Sequence, residues 1–329
     1  MPRWNSSRGL MGVEIPELGV PIKGKVRDCW IINKNGIDYR VMVTTDRQSA
    51  YDRLICTVPG KGQVLNMLSA YWFDKTKALV ANHMVEVPHP NVLIAREAKE
   101  TLPVEVVLRR YMAKSSTSTS IYHNYAHRVR NEIYGIKFPD GLQANQEFPM
   151  GTILTPTTKA ESGHDQELTD EQALKIVDAK LGNGTWNKAK AAAHKIFESG
   201  RKQYMDNGLI LVDTKYEFGI DSLGNLMLID EVHTPDSSRL WLAETYKDKF
   251  ENEQTPDTFD KDILRRWLAE KGFTGDGLVP QVDTAIIDAM VDAYVAPYKM
   301  VTGRTLSSQH YPYVISKEVS HHIKAFASR

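Results

Sequence analysis

The chain has 329 residues, 42% of them apolar and 25% charged, ordinary proportions for a globular protein of about two domains. Lysine plus arginine balances aspartate plus glutamate at 41 each, so no global field steers the protein toward nucleic acid or an anionic membrane, and no long basic cluster offers a face for either. Two cysteines, Cys29 and Cys56, make neither a disulfide framework nor a zinc site.

Taken in order, residues 1–20 read as a polar arm without the basic-then-apolar pattern of a secretion signal. No later stretch approaches the ~18 apolar residues of a membrane span, and a cytoplasmic protein is expected. Residues 22–32 read as strand, turn at Gly24, and returning strand. Asn35-Gly36 is a strong hairpin signal leading into a partner strand at 41–45. Lys23, Lys25 and Arg27 around Gly24 are able to drape cations and backbone N–H groups over a triphosphate. A solvated basic turn explains them equally well, because neither GxxxxGK[ST] nor GxGxxG occurs. Thr45 and Asp46 are strand-ending polar residues before Arg47. Pro59-Gly60 turns into a helix over 64–77, whose stripe Leu65, Leu68, Tyr71 and Trp72 reads as core. Both cysteines are expected as small buried apolar residues. His83 and His89 lack any metal-ligand spacing and are expected as surface or loop histidines.

Residues 104–109 form a strand that empties onto Arg109 and Arg110. The hydroxyl-rich run 114–120 (KSSTSTS) is either a flexible loop or a set of donors for phosphate oxygens. Residues 121–150 are loop-rich. Thr169 with Gln172 three residues on predicts a capped helix reaching Leu181, stopped by Gly182. A longer helix follows over 185–206, with Ala189, Ala193, Ile196 and Phe197 inward.

That helix feeds the stretch 209–241, around which the chain is organised. An apolar run, 209–212, stops at Asp213. The alternation Lys215-Tyr216-Glu217-Phe218 follows, then a turn-rich break at 219–225 and a second apolar run, 226–229, stopping at Asp230-Glu231. This reads as a hairpin. Strands ending on carboxylates place oxygen ligands at the rim of a core, where a hard cation can be held; single acids of this kind also serve as solvated strand caps. Four acids beside Lys215 and Arg239 point to a nucleotide site. Residues 245–329 read as a helical tail, with Pro297 interrupting its longest helix and His321-His322 on different faces.

The segments VDTKYEFG and LIDEVHTPDSSRLW, with GKVRD, TDRQSAYD, PGKGQVLNMLSAYWF and TPTTKAESGHD in the same order, resemble the SAICAR synthetase family. The resemblance implies an α+β, two-lobed fold: an N-terminal antiparallel-sheet lobe (1–104), a larger ATP- and substrate-binding lobe (105–244), and a helical C-terminal extension (245–329) packed on the second lobe. It implies ATP-dependent ligation of L-aspartate to 4-carboxy-5-aminoimidazole ribonucleotide, with ATP and Mg2+ as cofactors and small molecules, not nucleic acid or membrane, as partners. By carry-over, Glu217 and Asp230 are the metal ligands. Lys23, Gly24, Lys25, Arg27 and Glu105 face ATP; Arg109, Ser115, Asp46, Arg47 and Arg239 face the ribonucleotide; Lys159, Asp165, Asp213 and Lys215 surround the reacting groups. Two other classes are weighed against this. A kinase-like phosphotransferase would need an HRD-type loop, which is absent. A non-catalytic nucleotide-binding protein should have lost some of these charges. Lys114 departs from the family, where glycine commonly precedes the phosphate-binding serine. Its ammonium is expected to replace close backbone contact with a longer-range ionic one, or else to face solvent.

Overall fold

The computed structural model describes residues 9–51, 53–115, 120–130, 132–159, 165–259, 262–306 and 315–328, without the side chains of residues 315 and 316. Asp52, residues 116–119 of the hydroxyl run, residues 160–164 of the TPTTKAESGHD motif and residues 307–314 lie outside them.

The chain begins with β1 (Ile22–Lys23), β2 (Arg27–Lys34) and β3 (Ile37–Thr44). Asn35 and Gly36 both adopt positive φ (54° and 77°), the backbone a two-residue turn between right-twisted strands needs. The short hairpin β4 (Arg47–Ala50) and β5 (Arg53–Thr57) precedes α1 (Lys61–Thr76). Leu65, Leu68 and Trp72 are buried as the stripe predicted, while Tyr71 is only half-buried. Next come β6 (Met84–His89) and β7 (Val92–Arg96), completing an antiparallel sheet ordered β1-β2-β3-β7-β6. Neither histidine is on the surface: His83, in the loop before β6, is buried against Phe73, and His89, the last residue of β6, is buried beside His322 of the C-terminal helix. Cys29 is buried and Cys56 half-buried, both as free thiols.

The second sheet is built on one long strand. After β8 (Glu100–Thr101), β9 (Val104–Arg109), α2 (Ile121–Ala126), β10 (Ile153–Leu154) and β11 (Thr157–Thr158), two helices lead into it: α3 (Asp170–Leu181) and α4 (Thr185–Asp206). The expected capping box is formed, Thr169 and Gln172 satisfying each other's backbone N–H. The long strand β12 (Leu209–Ile220) pairs with β9 and β8 as well as with β13 (Leu226–Ile229) and β14 (Ser238–Leu242), all antiparallel. The strand thus does not end where the apolar run stops at Asp213. The strand continues to Ile220, with a bulge between Leu211 and Asp213, because ladder partners on both edges hold the polar residues in line.

Helices α5 (Ala243–Glu251), α6 (Asp262–Glu270), α7 (Thr284–Thr302) and α8 (Ile315–Ser328) finish the chain. Pro297 does not interrupt α7; it sits inside the helix, buried, so the N–H it lacks is a local loss that packing offsets. The tail also does not simply cover the second sheet. α5 packs beside β14, but α7 packs on α1 and α8 on β6. Val319, Ile323 and Phe326 of α8 join Trp30, Val41, Val43 and Ile94 in a cluster of their own. The main core runs continuously from Met42 and Leu93 of the first sheet through Trp72, Trp186 and Tyr204 to Tyr216 and Phe218 of the second. No described helix is long and apolar enough to cross a membrane.

Candidate active site

Alternation along β12 sorts its residues. Thr214, Tyr216 and Phe218 are buried in the core, while Asp213, Lys215 and Glu217 share the opposite face. β9 does the same: Val104, Val106 and Leu108 point inward, and Glu105 and Arg109 are half-exposed. The registers Asp213↔Arg109 and Lys215↔Val107 then place Arg109 directly across from Asp213, and Glu105 diagonally from Lys215. On the other edge Asp213 faces Arg239 of β14, and Glu217 faces Ile229, one residue before Asp230. Backbone pairing alone assembles two charge clusters side by side.

The first cluster floors a cavity of about 790 Å3 roofed by the β1–β2 turn, so that Lys23, Gly24, Lys25 and Arg27 line it together with Glu105, Lys159, Asp165, Lys215, Glu217 and Asp230. Lys215 Nζ donates to Glu217 Oε1 at 2.6 Å and to Glu105 Oε1 at 3.0 Å, and lies 4.0 Å from Asp230 Oδ2. Lys159 pairs with the other oxygen of Glu217. Burial works against the Lys215 charge, yet Glu217, Asp230 and Glu105 together push its pKa well above the usual lysine range. Burial raises Glu105 despite Lys215. It also opposes the charge of Asp230, but Arg27, Lys215 and Lys159 hold that carboxyl below its ordinary value. Arg27 spans Asp230 Oδ1 (2.7 Å) and Glu231 Oε2 (2.8 Å). Its guanidinium thus ties the β1–β2 turn to the loop after β13 while lining the cavity.

The second cluster lines a cavity of about 740 Å3. Arg109 Nη1 lies 2.9 Å and Arg239 Nη1 3.6 Å from the same oxygen, Asp213 Oδ2. Arg109 Nε also donates to Thr155 Oγ1 at 3.0 Å. One carboxylate against two guanidiniums leaves net positive charge, and their remaining donors suit a phosphate. Ser115 lines this cavity too, and Asp165 lines both.

Two expected residues are not brought there. Asp46 is fully buried, accepting the N–H groups of Leu10 (2.7 Å) and Gly62 (2.8 Å), and burial pushes its carboxyl up to about 7. Arg47 donates to the carbonyls of Met11 (2.7 Å) and Gly24 (3.0 Å) and to Asp28 (2.8 Å). Arg47, at the start of β4, holds up the Gly24 turn from behind, and Asp46, just before β4, ties the N-terminal segment to the start of α1. Lys114 is exposed and opens on a separate 280 Å3 cavity, not on the arginine cluster. Sequence reading also missed Arg130, Tyr134 and Arg265, which line the arginine cavity. The first two lie in the aperiodic stretch after α2, and Arg265 on a tail helix whose polar face carries no distinguishing pattern.

Among the described residues no group of three or more His, Cys, Asp or Glu is poised for a metal. The pair Glu217 and Asp230 still fits Mg2+, which is bound by one or two carboxylates plus substrate phosphates and keeps several waters.

The SAICAR synthetase family model matches residues 21–280. A Legionella pneumophila (strain Paris) protein named phosphoribosylaminoimidazole-succinocarboxamide synthase is 40% identical over 307 residues, covering 93% of this chain and 95% of the relative. Among solved structures, the SAICAR synthase of Saccharomyces cerevisiae complexed with SAICAR superposes with a TM-score of 0.75 at 30% identity, over 91% of this chain and 99% of that one. A SAICAR synthetase in complex with ADP shares the fold at a TM-score of 0.63 and 23% identity, over 87% of this chain and 99% of that one.

Proposed function

From the premise that this chain belongs to the SAICAR synthetase family, we propose how its cleft divides the work of the family's reaction. The protein is an ATP-dependent carbon–nitrogen ligase of purine biosynthesis. It joins L-aspartate to 4-carboxy-5-aminoimidazole ribonucleotide, giving the succinocarboxamide ribonucleotide, ADP and phosphate. Neither a kinase-like nor a non-catalytic role is favoured beside relatives of this identity and coverage.

A carboxylate acylates poorly, so its oxygen first takes the γ-phosphoryl of ATP, releasing ADP. The aspartate amine then attacks the acyl phosphate, loses a proton, and inorganic phosphate leaves. Such transfers ask the protein mainly for alignment and charge neutralisation. In our reading ATP occupies the cavity beneath the Gly24 turn, whose lining mixes carboxylates with lysines and arginines. Lys23 and Lys25 at its mouth meet the triphosphate, and Glu105 lies deeper beside Lys215. Glu217 and Asp230 would hold Mg2+, which when bound supplies further neutralisation of phosphate charge. The ribonucleotide occupies the neighbouring cavity with its phosphate on Arg109, Arg239 and Ser115, and Asp213 fixes the two arginines. Its carboxylate then meets ATP where the cavities adjoin, beside Asp165, Lys159 and Lys215. The supporting observation is that Asp165 lines both cavities while one strand, β12, carries residues of each.

We further propose lobes at 1–104 and 105–244 with the tail 245–329 bridging them, and a cytoplasmic location. The test of the reaction is ADP release with ATP, Mg2+, ribonucleotide and aspartate, each omitted in turn. Turnover should require all four. ADP formed at full rate without the ribonucleotide, or a phosphorylated protein hydroxyl, would sink the ligase assignment for this cleft.

A further inference from the structure

The loop from residue 230 to 238 serves both cavities: Asp230 starts it, and Arg239 follows it on β14. It carries two non-glycine residues in left-handed backbone, Asp230 (φ 65°) and His233 (φ 52°), which a Cβ disfavours and which persist only where surroundings over-determine them. The surroundings converge on His233. Its side chain is fully buried and lines neither cavity. Its Nε2 shares a hydrogen bond with the Tyr216 hydroxyl, and its carbonyl accepts from the Tyr204 hydroxyl, which in turn accepts from Trp72 Nε1 at 3.2 Å. The imidazole stands edge-on to Trp72 with centroids 4.7 Å apart.

Helix α4 is notched to admit it. A Cβ built at Gly200 would lie 2.1 Å from His233 Cε1, and glycine inside a helix is otherwise a destabilising choice. His233 Nδ1 is buried with no hydrogen-bond partner among the described residues, whereas an apolar side chain would fill the same space with no polar atom orphaned. Burial drops its pKa to about 3, so the ring is neutral and acts through its hydrogen bond and shape.

We infer that His233 is a positioning residue: seated in the Gly200 notch and gripped by the Tyr216 hydroxyl, it fixes the loop whose ends carry Asp230 and Arg239, and so sets the spacing between the two cavities. This rests on the assignments proposed for those two residues. Other contacts also hold this loop, among them Asp236 with Lys61 (2.9 Å) and Tyr294 (2.6 Å), the Val232 N–H on the Ser69 hydroxyl (3.1 Å), and Arg27 on Asp230 and Glu231; the Tyr216 and Tyr204 bonds differ in gripping the left-handed residue 233 itself.

Tyr216→Phe removes only the hydroxyl and keeps the buried ring. It should lower kcat about tenfold, within the ~100-fold that an ångström-scale misplacement costs, and raise both the half-saturating Mg2+ and the ribonucleotide KM several-fold. Gly200→Ala, which drives a methyl into the imidazole, should do more of the same. Val177→Ala, a buried position on α3 away from the cleft, supplies a control for a general loss of Tm and should leave those constants alone. Should Gly200→Ala fail to fold, Tyr216→Phe decides by itself. Parental constants in Tyr216→Phe, or shifts no larger than those of Val177→Ala at equal loss of Tm, would show that His233 only packs. Asp230→Asn measured alongside separates the two ideas. If it leaves Mg2+ dependence untouched while Tyr216→Phe lowers turnover, the metal assignment falls and the positioning role stands.

Discussion

Two adjacent points on β12 carry opposite arrangements. At position 213 one carboxylate lies between two guanidiniums, from β9 and β14. Two residues on, at 215, one ammonium lies among three carboxylates, from β9, β12 and the loop after β13. The same face of the same strand thus offers surplus positive charge and then a balanced network, in which Lys159 and Arg27 join Lys215 against the three carboxylates. What differs is the residue β12 itself presents, Asp213 and then Lys215, and the residues that its neighbours set against each. An anion entering the first point finds donors already held in place; at the second, cations, whether Lys159 or a divalent ion, complete the balance. A reaction that must hold a phosphate monoester still while moving a phosphoryl group nearby needs both.

The sharpest way to break the contrast is to neutralise the second point. Asp230→Asn removes one of the proposed metal ligands while keeping size, and loss of a preorganised electrostatic contact costs about 2.7–4 kcal/mol in the barrier. Turnover should fall ~100-fold or more, with the Mg2+ requirement shifted upward and the melting temperature lowered as well, since Asn no longer balances Arg27. Near-normal turnover with unchanged Mg2+ dependence would remove Asp230 from the metal site.

At the first point, Arg239→Ala leaves Asp213 with Arg109 alone. Removing one partner of a hydrogen-bonded charge pair costs roughly 2–5 kcal/mol, and the low end applies here because the side chains remain partly solvated. The ribonucleotide KM should rise on the order of 30-fold with ATP affinity spared. A loss confined to ATP would exchange the occupants of the two cavities and undo the contrast as drawn.

How much of this was legible in the sequence follows from what kind of order each part has. The helices at 170–181 and 185–206 and the hairpin around 219–225 were readable, because periodicity, a capping box and turn residues act locally. The acids and cations of β12 were readable as a set, and the resemblance gave their roles. Their sorting into two clusters was not, since it depends on Asp213 facing Arg109 and Arg239 across two ladders whose partners lie about a hundred residues upstream and twenty-six downstream. Asp46 and Arg47 show the opposite failure. Polar residues in a motif read as site residues, but at the start of β4 these two side chains turn into the protein, where they anchor backbone. His233 gave no signal at all, because its meaning comes from a notch in a helix more than thirty residues earlier.

Asp46 also supplies a carboxylate with backbone donors in place of guanidiniums, a third case beside the two on β12. Its folded pKa is raised from 3.8 to about 7 by burial. Between those values the folded state holds a proton that the unfolded state has released, so stability from this group is full below about pH 4 and is lost as pH rises through 7. The melting temperature should therefore decline from pH 5 to pH 7.5 by a component that disappears in Asp46→Asn. If the parent and the variant show parallel pH profiles, Asp46 stays ionised and the N–H bonds from Leu10 and Gly62 outweigh its desolvation.

The smallest effect concerns Lys114, where this chain carries an ammonium in place of the family's usual glycine. If that charge reached the arginine cluster, it would add to the surplus at position 213. The fold argues otherwise: the Lys114 backbone N–H is tied to Asn145 Oδ1 at 2.9 Å, and the exposed side chain lines the small cavity it shares with Gln143, Phe250 and Glu253. An exposed charge at that remove is screened over ~10 Å at 0.1 M salt. Lys114→Gln should therefore change the ribonucleotide KM by less than about twofold, the scale of an exposed ionic contact, and leave its dependence on salt parallel to that of the parent. Arg239→Ala, by contrast, should flatten that dependence, since it removes one of the cations that meet the phosphate. A flattened salt dependence in Lys114→Gln would place the ammonium on the anion after all, and the arginine cluster would then have a third cation that the strand register does not supply.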